Sequence, residues 1–290
     1  MIIIDFNAIA IANIMVQKLD HTRGDMIRHM ILNSIRLYNV KFRKEYGTMV
    51  IACDANSWRR DYFPEYKYKR KVDRTAAEEN GVDWSALFEI VDGVRNDLKN
   101  NFPYSVIHEE GAEADDIIGV LVERTQEFGQ FEKVMIVSGD HDFIQLHRYS
   151  NVKQFAPVQK KQVKHSNPVQ YLQEHIIRGD KGDGVPSIHS HDKVFVNAER
   201  QKPIVKKFIG PLLGLNEEEM EKALTPEMWR NYVRNKKLVD LNSTPTELAL
   251  TINDSHDAEM KKIEKGNNKV LNYLINNRHR QLIECVGEFL

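Results

Sequence analysis

The sequence has little cysteine and no long apolar run. Its 290 residues include only 2 cysteines, Cys53 and Cys285, which is too few for a disulfide framework or a cysteine-based zinc site. No apolar run approaches the roughly 18 residues that a membrane helix needs. Residues 1–4 are apolar but too short, and without the basic flank, for a signal peptide. We therefore expect a soluble protein of a reducing compartment, the cytoplasm, with no membrane partner.

The net charge of the protein says little about its binding partners. The 41 Lys and Arg residues nearly balance the 42 Asp and Glu residues, which leaves a formal charge of -1 at pH 7. This average hides separate acidic clusters and a basic stretch. There is no internal repeat and no low-complexity tract. With 41% hydrophobic and 29% charged residues, the chain is expected to be globular, with one large domain or two smaller ones.

Apolar runs that end in aspartate are the clearest pattern in the sequence. The runs are residues 1–4 before Asp5, residues 49–53 before Asp54, and residues 134–137 before Asp140 and Asp142. Positions that are apolar consecutively are typical of parallel strands covered by helices on both faces. Helical spacing of apolar residues between the runs completes β-α-β units. The sequence therefore predicts an α/β fold with a central, mostly parallel sheet flanked by helices, and acids at its carboxyl edge.

Two further segments add acids to this edge. A helix predicted to begin just after Gly111 has acids in its first turn, and the glycine-rich turn at residues 179–186 has two aspartates. The nine acids are Asp5, Asp54, Glu113, Asp115, Asp116, Asp140, Asp142, Asp180 and Asp183. Unit charges about 4 Å apart repel by about 4 kcal/mol at an effective dielectric near 20, so the cluster predicts bound cations. Oxygen ligands favour Mg²⁺, with Mn²⁺ as a substitute, and two such ions support phosphodiester hydrolysis.

Each acid also has a purely structural interpretation. Acids in the first turn of a helix are favoured by the helix dipole, which would account for Glu113, Asp115 and Asp116. Asp142 is suited to cap a short helix, and His141, between two aspartates, is expected to be solvated. Capping alone does not explain five acid-bearing segments at one predicted edge, which favours the metal site.

A basic and aromatic stretch spans residues 58–71. It interleaves 6 cations and 5 aromatic residues with only 2 acids. Such a run on its own is usually a solvated surface. Next to an acidic metal site it predicts a nucleic-acid contact, because cations hold phosphates and aromatic rings hold unstacked bases. The residues predicted to make this contact are Arg59, Arg60, Tyr66, Lys67, Lys69, Arg70 and Lys71. The polar segment that follows, residues 72–82, is weakly patterned, which favours a mobile segment.

The motifs, taken in order, resemble those of the 5′-nuclease (flap endonuclease) family. They are Gly111–Asp116, Ser138–Phe143 and Gly179–Pro186, after Asp5 and Asp54. The overall length and the context of residues 58–61 and 66–67 are most similar to the bacteriophage 5′-exonucleases called phage RNase H. The resemblance implies that the nine acids bind two metal ions, with Asp115 and Asp140 catalytic. It also implies that Lys67 lies near the scissile phosphate as a catalytic residue and that Tyr66 stacks on a base.

The resemblance also implies an organisation in two parts. Residues 1–165 would form the nuclease domain, with an arch or clamp at about 66–100 in which residues 69–80 meet single-stranded 5′ ends. Residues 166–290 would form a smaller helical DNA-binding region that begins with a helix-hairpin-helix-like element and contributes Asp180 and Asp183. The family's Gly-Ile-Gly before a basic residue is replaced here by Ser-Ile-His-Ser-His-Asp before Lys193, the cation expected to hold duplex DNA.

The implied activity is metal-dependent 5′ to 3′ exonuclease and flap endonuclease cleavage of DNA and RNA-DNA duplexes, which removes RNA primers during lagging-strand replication. The implied partners are forked, flapped or nicked DNA, and a single-strand-binding protein or sliding clamp. The protein would act as a monomer, in the host cytoplasm if it is phage-encoded. Two alternatives stay open. A PIN-type ribonuclease shares the strand-end acids but would not need the turn at residues 179–186, and a non-catalytic junction-binding protein would not need all nine acids.

Overall fold

A six-stranded sheet forms the centre of the protein. The computed structural model describes residues 1–17, 20–79, 81–263 and 268–290. Within them the strands lie in the order β3-β2-β1-β4-β5-β6, and only β6 runs antiparallel to its neighbour. The strands are β1 (Ile2–Asp5), β2 (Met49–Ala52), β3 (Ser105–Ile107), β4 (Val134–Val137), β5 (Val152–Ala156) and β6 (Lys161–Val163). The predicted mostly parallel sheet is confirmed.

Helices precede, connect and follow these strands. In the described ranges the α-helices are α1 (Phe6–Gln17), α2 (Gly24–Tyr46), α3 (Arg59–Tyr62), α4 (Tyr68–Glu79), α5 (Trp84–Asn101), α6 (Ala114–Arg124), α7 (Pro168–Arg178), α8 (Lys206–Ile209), α9 (Glu217–Ala223), α10 (Pro226–Val239), α11 (Thr246–Ile263), α12 (Asn268–Asn276) and α13 (Arg280–Ile283). None of them is long and apolar enough to cross a lipid bilayer.

Both faces of the sheet are buried. Ile2 and Ile4 of β1 pack into one core with α1, α2 and α5, whereas Ile3 packs into a second core with α6. Side chains of a strand point alternately to the two faces, so burial on both sides explains why consecutive positions are apolar. The last helices return to these cores, since Ile252 of α11 joins the second and Phe289 joins the first.

A third core joins the two halves of the chain. It combines Ile177 of α7, Val185 of the glycine-rich turn and Tyr232 of α10 with Phe63 and Tyr66 of the basic stretch. Contacts therefore cross the predicted domain boundary between residues 165 and 166, and that boundary stays a prediction. The same core sets the glycine-rich turn against the basic stretch.

Two predicted segments differ from the structure. Residues 68–79 form the helix α4, which has no buried residue, where the sequence pattern predicted no helix. Alanine, glutamate and lysine favour helix even without an apolar face to bury, which explains why the periodicity missed it. Asn80, the last of the residues expected to meet single-stranded 5′ ends, lies outside the described residues.

Of the predicted helix-hairpin-helix-like element, the structure contains the first helix, α7, and the turn that follows it. Residues 187–205 then run as turns and irregular chain up to α8, so no second helix follows directly. Part of the reason is Asn231 of α10, whose Nδ2 donates to the carbonyl oxygens of Ile188 (2.9 Å) and Ser190 (3.3 Å). These bonds satisfy backbone groups that a helix would otherwise pair internally.

Candidate active site

The first acids lie together at the carboxyl edge of the sheet. Asp5, the last residue of β1, accepts a hydrogen bond from Ser138 Oγ just after β4 (2.8 Å). Asp54, just after β2, accepts from the backbone N–H of Ala114 at the start of α6 (2.8 Å) and from Asn7 Nδ2 (2.9 Å). These bonds tie the ends of three parallel strands to the beginning of α6, as the strand-end pattern predicted.

The turn after β4 presents the next two acids. The N–H of Asp142 donates to Asp140 Oδ1 (2.9 Å), and Gln154 Nε2 of β5 donates to the Asp140 carbonyl (2.6 Å). Asp140 is exposed and Asp142 is half-buried. Residues Asp142–Arg148 form a short 3₁₀ helix that begins with Asp142 itself. The predicted short helix is present, but Asp142 is its first residue rather than its cap.

His175 of α7 lies between two of the predicted acids. Its Nδ1 is 3.3 Å from Asp142 Oδ1 and its Nε2 is 3.1 Å from Asp180 Oδ2. One potential ligand atom from each of these three residues lies within 4.8 Å of the others. The sequence pattern predicts no role for His175, because this histidine stands alone in a helical pattern. The one local signal for a role in the site is that His175 stands five residues before Asp180 in the sequence.

Lys67 is buried against acids from two distant segments. Its Nζ lies 2.5 Å from Glu113 Oε1 and 3.4 Å from Asp183 Oδ2. Its N–H donates to the Asp183 carbonyl (2.7 Å), and its φ is +57°. The hydroxyl of Tyr66 lies 2.9 Å from both Glu113 Oε2 and Asp183 Oδ2. The structure therefore brings Lys67 to the acids, and fixes its backbone as well as its side chain.

The structure corrects the predicted roles of Arg59 and Tyr66. Arg59 is 1% exposed and Tyr66 is 4% exposed, so both side chains are buried and neither lies on the protein surface. The Arg59 guanidinium pairs with Asp116 Oδ2 (2.9 Å) and Glu113 Oε2 (3.3 Å), and its Nε donates to the Leu238 carbonyl (2.8 Å). A buried guanidinium needs such partners, which sequence spacing does not reveal.

Asp116 is also placed differently from its prediction as a metal ligand. It is fully buried, and its Oδ1 accepts from Trp58 Nε1 (3.1 Å) and Thr244 Oγ1 (2.9 Å). Its Oδ2 accepts from Arg59 and from the N–H of Glu113 (2.9 Å). Both oxygens are thus engaged by protein donors, and Asp116 anchors the start of α6 instead of facing the other acids.

The remaining predicted cations lie at the surface. Arg70 is half-exposed and its Nη2 pairs with Asp183 Oδ1 (2.5 Å). The other four side chains are exposed, and their contact with nucleic acid stays a prediction. They are Arg60, Lys69, Lys71 and Lys193.

Burial and like charge raise the pKa of three of the acids. Burial and then the neighbouring Asp54 raise the pKa of Asp5 to about 7. Burial and then Asp140 raise the pKa of Asp142 to about 7, and the same two causes raise the pKa of Asp115 well above its ordinary value. Like charges held this close disfavour ionisation unless a cation joins them.

Two other acids, Glu113 and Asp180, have pKa values below the ordinary value. Burial raises the pKa of Glu113, but Lys67 and Arg59 together bring that pKa below its ordinary value. Burial likewise opposes ionisation of Asp180, but the hydrogen bonds from His175 and from the backbone N–H groups of Asp183 and Gly182, together with the charge of His175, outweigh it and lower the pKa of Asp180 to about 2. Glu113 and Asp180 already have cationic or donor partners within the protein.

The residues present fit a divalent-cation site. In the described ranges, four of the acids form no ion pair with Lys, Arg or His within 4 Å, and they are Asp5, Asp54, Asp115 and Asp140. Clustered carboxylates without cationic partners are the donor set of hard divalent ions. Asp142, Asp180 and Asp183 lie next to this set, but His175 lies beside the first two and Lys67 and Arg70 pair with Asp183. The donors suit Mg²⁺ or Mn²⁺, and the same excess of negative charge adds to burial in raising the pKa values of Asp5, Asp115 and Asp142.

Known proteins resemble the whole chain. A family model described as 5′-3′ exonuclease, N-terminal resolvase-like domain, matches residues 1–175, and a model described as T4 RNase H, C terminal, matches residues 167–289. Ribonuclease H of Enterobacteria phage T4 is 34% identical over 298 residues, which cover 99% of this chain and 95% of that protein.

Solved structures show the same fold. The T5 5′-exonuclease with bound zinc has a TM-score of 0.60 at 18% identity, over 91% of this chain and 97% of that one. The T5 D15 flap endonuclease, in a complex with DNA and metal ions, has a TM-score of 0.57 at 20% identity, over 90% and 97%. The resemblance seen in the motifs is confirmed by the family models and by the phage T4 relative, and the solved structures confirm the fold. This chain belongs to the 5′-nuclease family of 5′-3′ exonucleases and flap endonucleases, and phage T4 ribonuclease H is a relative along almost its entire length.

Proposed function

We propose that this protein is an Mg²⁺-dependent 5′ nuclease. It hydrolyses phosphodiesters in the 5′ to 3′ direction and cuts 5′ flaps, in both DNA and RNA-DNA duplexes. The observation that supports this most is the convergence of acids from separate segments on one edge of the sheet, beside the buried Lys67. The relatives are named as ribonuclease H and flap endonuclease, and one was crystallised with DNA and metal ions.

The acids that lack cationic partners would hold the ions, with Asp115 and Asp140 next to the reaction. When bound, two divalent ions supply an activated water and stabilise the leaving oxygen. Lys67 stabilises charge that develops on the scissile phosphate, because a fixed ammonium in a site shielded from water acts strongly on such charge. Glu113 and Asp183 hold this ammonium in position.

Exposed cations would hold the nucleic acid. The helix α4 exposes Lys69 and Lys71, next to the turn that contains Lys67, and forms the arch that meets single-stranded 5′ ends. The exposed Arg60 and Lys193 hold duplex phosphates. In this proposal the protein is a monomer that removes lagging-strand primers in the host cytoplasm, in contact with a single-strand-binding protein or a sliding clamp.

The deciding experiment is a cleavage assay with a labelled 5′-flap duplex, with Mg²⁺ and with EDTA. We expect cleavage with Mg²⁺ alone, on DNA and on RNA-DNA substrates. A closed circular single strand should stay intact, because it offers no free 5′ end. Efficient cutting of that circle would point to a generic endonuclease, and no cleavage of the flap with any divalent ion would overturn the proposal.

Replacing a central carboxylate tests the metal assignment. Asp115→Asn should abolish hydrolysis, while binding of forked DNA stays the same or becomes tighter, because one charge that repels phosphate is lost. Binding is measured by fluorescence anisotropy in Ca²⁺ and cleavage in Mg²⁺. The matched control is Asp254→Asn on α11, which is exposed and should cleave normally. Near-normal cleavage by Asp115→Asn would contradict the assignment.

A further inference from the structure

A histidine stands inside the predicted all-carboxylate cleft. His175 lies between Asp142 and Asp180, and no motif of the family resemblance includes it. The inference below rests on the proposed metal-dependent function and concerns how this chain binds its metal.

The imidazole of His175 is held firmly. Its helix, α7, begins at a cap in which Asn167 Oδ1 accepts from the N–H of Gln170 (3.1 Å), with Pro168 in the first turn. The ring of Tyr171 meets the His175 ring edge-on, with centroids 5.9 Å apart. The side chain of His175 is 14% exposed, so ring orientation is set by packing and not by solvent.

The two ring nitrogens have different surroundings. Nε2 has a hydrogen-bond partner in Asp180 Oδ2, whereas Nδ1 is buried and has no hydrogen-bond partner in the described structure. A neutral imidazole has one N–H and one lone pair. If Nε2 carries the hydrogen and donates to Asp180, the lone pair of Nδ1 faces Asp142 Oδ1 at 3.3 Å.

Two lone pairs that face each other repel, and a cation between them removes the repulsion. Adjacent ligand atoms on an ion with bonds of about 2.1 Å lie about 3 Å apart, close to the observed separation. A carboxylate that accepts from the far nitrogen is the usual partner of a metal-bound histidine, since it fixes the tautomer and the ring orientation. Here Asp180 is that partner.

We propose that His175 Nδ1 and Asp142 together ligate a divalent cation in the cleft, with Asp180 as the residue that positions the imidazole. The site then has a nitrogen ligand, which first-row transition ions prefer more strongly than Mg²⁺ does. This chain should therefore bind Mn²⁺ with a larger advantage over Mg²⁺ than a site built from carboxylates alone.

Pulsed electron paramagnetic resonance of Mn²⁺ bound to the full chain tests the ligand directly. The wild-type spectrum should show modulation from a histidine ¹⁴N, which changes to that of ¹⁵N when the protein is labelled with ¹⁵N-histidine. His175→Gln should lose this modulation. The matched control His141→Gln, at an exposed neighbouring histidine, should keep it. The wild-type spectrum decides even if His175→Gln folds poorly.

Calorimetric titration gives a second readout. His175→Gln should raise the Kd for Mn²⁺ by about tenfold or more, while the Kd for Mg²⁺ changes by less than about threefold. Mn²⁺ bound without nitrogen modulation, or modulation that persists in His175→Gln, would overturn this inference and leave the proposed nuclease intact. Failure of the wild type to bind any divalent ion would instead overturn the proposed function.

Discussion

Lys67 joins a strained backbone to a buried ion pair. Its φ of +57° lies in the left-handed region, which is costly for a residue with a side chain. Burial lowers the pKa of this ammonium, but Asp183 and Glu113 together raise it above its ordinary value, so the side chain stays charged. A backbone conformation that costs free energy and is maintained beside the candidate active site is consistent with a role of Lys67 in the reaction.

Removal of the Lys67 ammonium should slow the chemical step more than it weakens binding. We expect Lys67→Ala to reduce single-turnover cleavage at saturating enzyme by at least about 10², because a positioned cation on developing charge is typically worth about that much. The dissociation constant should change several-fold at most. Glu113 keeps Arg59 and Asp183 keeps Arg70, so the fold should persist.

The control for this variant is Lys193→Ala, at an exposed position. It should weaken binding and reduce the salt dependence by about one unit, with the saturated rate unchanged. A normal saturated rate for Lys67→Ala would mean that the lysine only holds a phosphate.

Asp142 should make the stability of the metal-free protein depend on pH. Its pKa is about 7 in the folded protein, against about 4 for an ordinary aspartate. Between these values the unfolded chain has lost a proton that the folded protein keeps. Asp142 therefore lowers the free energy of unfolding as pH rises through this window, and the full loss remains above pH 7.

Asp142→Asn should accordingly raise the Tm of the protein in EDTA, and by more at pH 8 than at pH 5. A gain of a few degrees at pH 8 corresponds to about 1–2 kcal/mol in a protein of this size. Differential scanning calorimetry measures it, with the exposed Asp73→Asn as the comparison. An equal gain at both pH values would show that ionisation of the buried Asp142 carboxyl, next to Asp140, is not the cause.

The glycine-rich turn at residues 179–186 contributes acids to the candidate active site and also packs closely against the segment that contains Lys67. A Cβ on Gly179 would lie 2.3 Å from the Val185 carbonyl oxygen, so the turn closes on itself only with glycine there. Gly184 has a φ of +72°, and a Cβ on it would lie 3.1 Å from the Glu65 carbonyl oxygen and 3.4 Å from the Lys67 nitrogen. The turn thereby sets the position of Lys67.

Gly184→Ala should therefore impair catalysis as well as stability. We expect a loss of about 1–3 kcal/mol from the left-handed backbone and a slower single-turnover rate, because the Lys67 segment must move by a few tenths of an ångström. Gly214→Ala is the matched control, since its φ is +90° and a Cβ there meets nothing within 4 Å. It should lose stability without losing rate. Equal single-turnover rates for Gly184→Ala and Gly214→Ala would show that the turn does not set the position of Lys67.

At the scale of the whole molecule, the last residues of the chain belong to the core of the sheet domain. Phe289 is fully buried, and its ring packs edge-on against Phe102 with centroids 5.3 Å apart. Asn39 Nδ2 of α2 donates to the carbonyl of Glu288 (2.9 Å). Strand β1 and Phe289 therefore pack into the same core, which favours unfolding as one cooperative unit.

Phe289→Ala should lower the free energy of unfolding by about 3–5 kcal/mol, the usual cost of removing a buried phenylalanine. Urea denaturation followed by both fluorescence and circular dichroism should show a single transition at a lower midpoint. Phe128→Ala, at a fully exposed phenylalanine, should change stability by no more than about 0.5 kcal/mol. A second transition in Phe289→Ala would reveal independent halves.

The sheet and most of its acids followed from the sequence because their signals are local. Consecutive apolar positions report burial on both faces of a strand, and an acid directly after such a run must lie at the carboxyl edge. Asp5, Asp54 and Asp140 were predicted in this way. The predicted β-strands agree with the observed ones to within one or two residues because each is bounded by a turn or an acid.

Only the tertiary structure decided which charged residues face one another. Arg59 and Asp116 are 57 residues apart and neutralise each other in the interior, although the sequence placed both in the functional cleft. His175 and Asp142 meet because α7 packs beside the turn after β4. A local pattern reports how buried a position is, whereas the partner of a buried charge depends on contacts between distant segments.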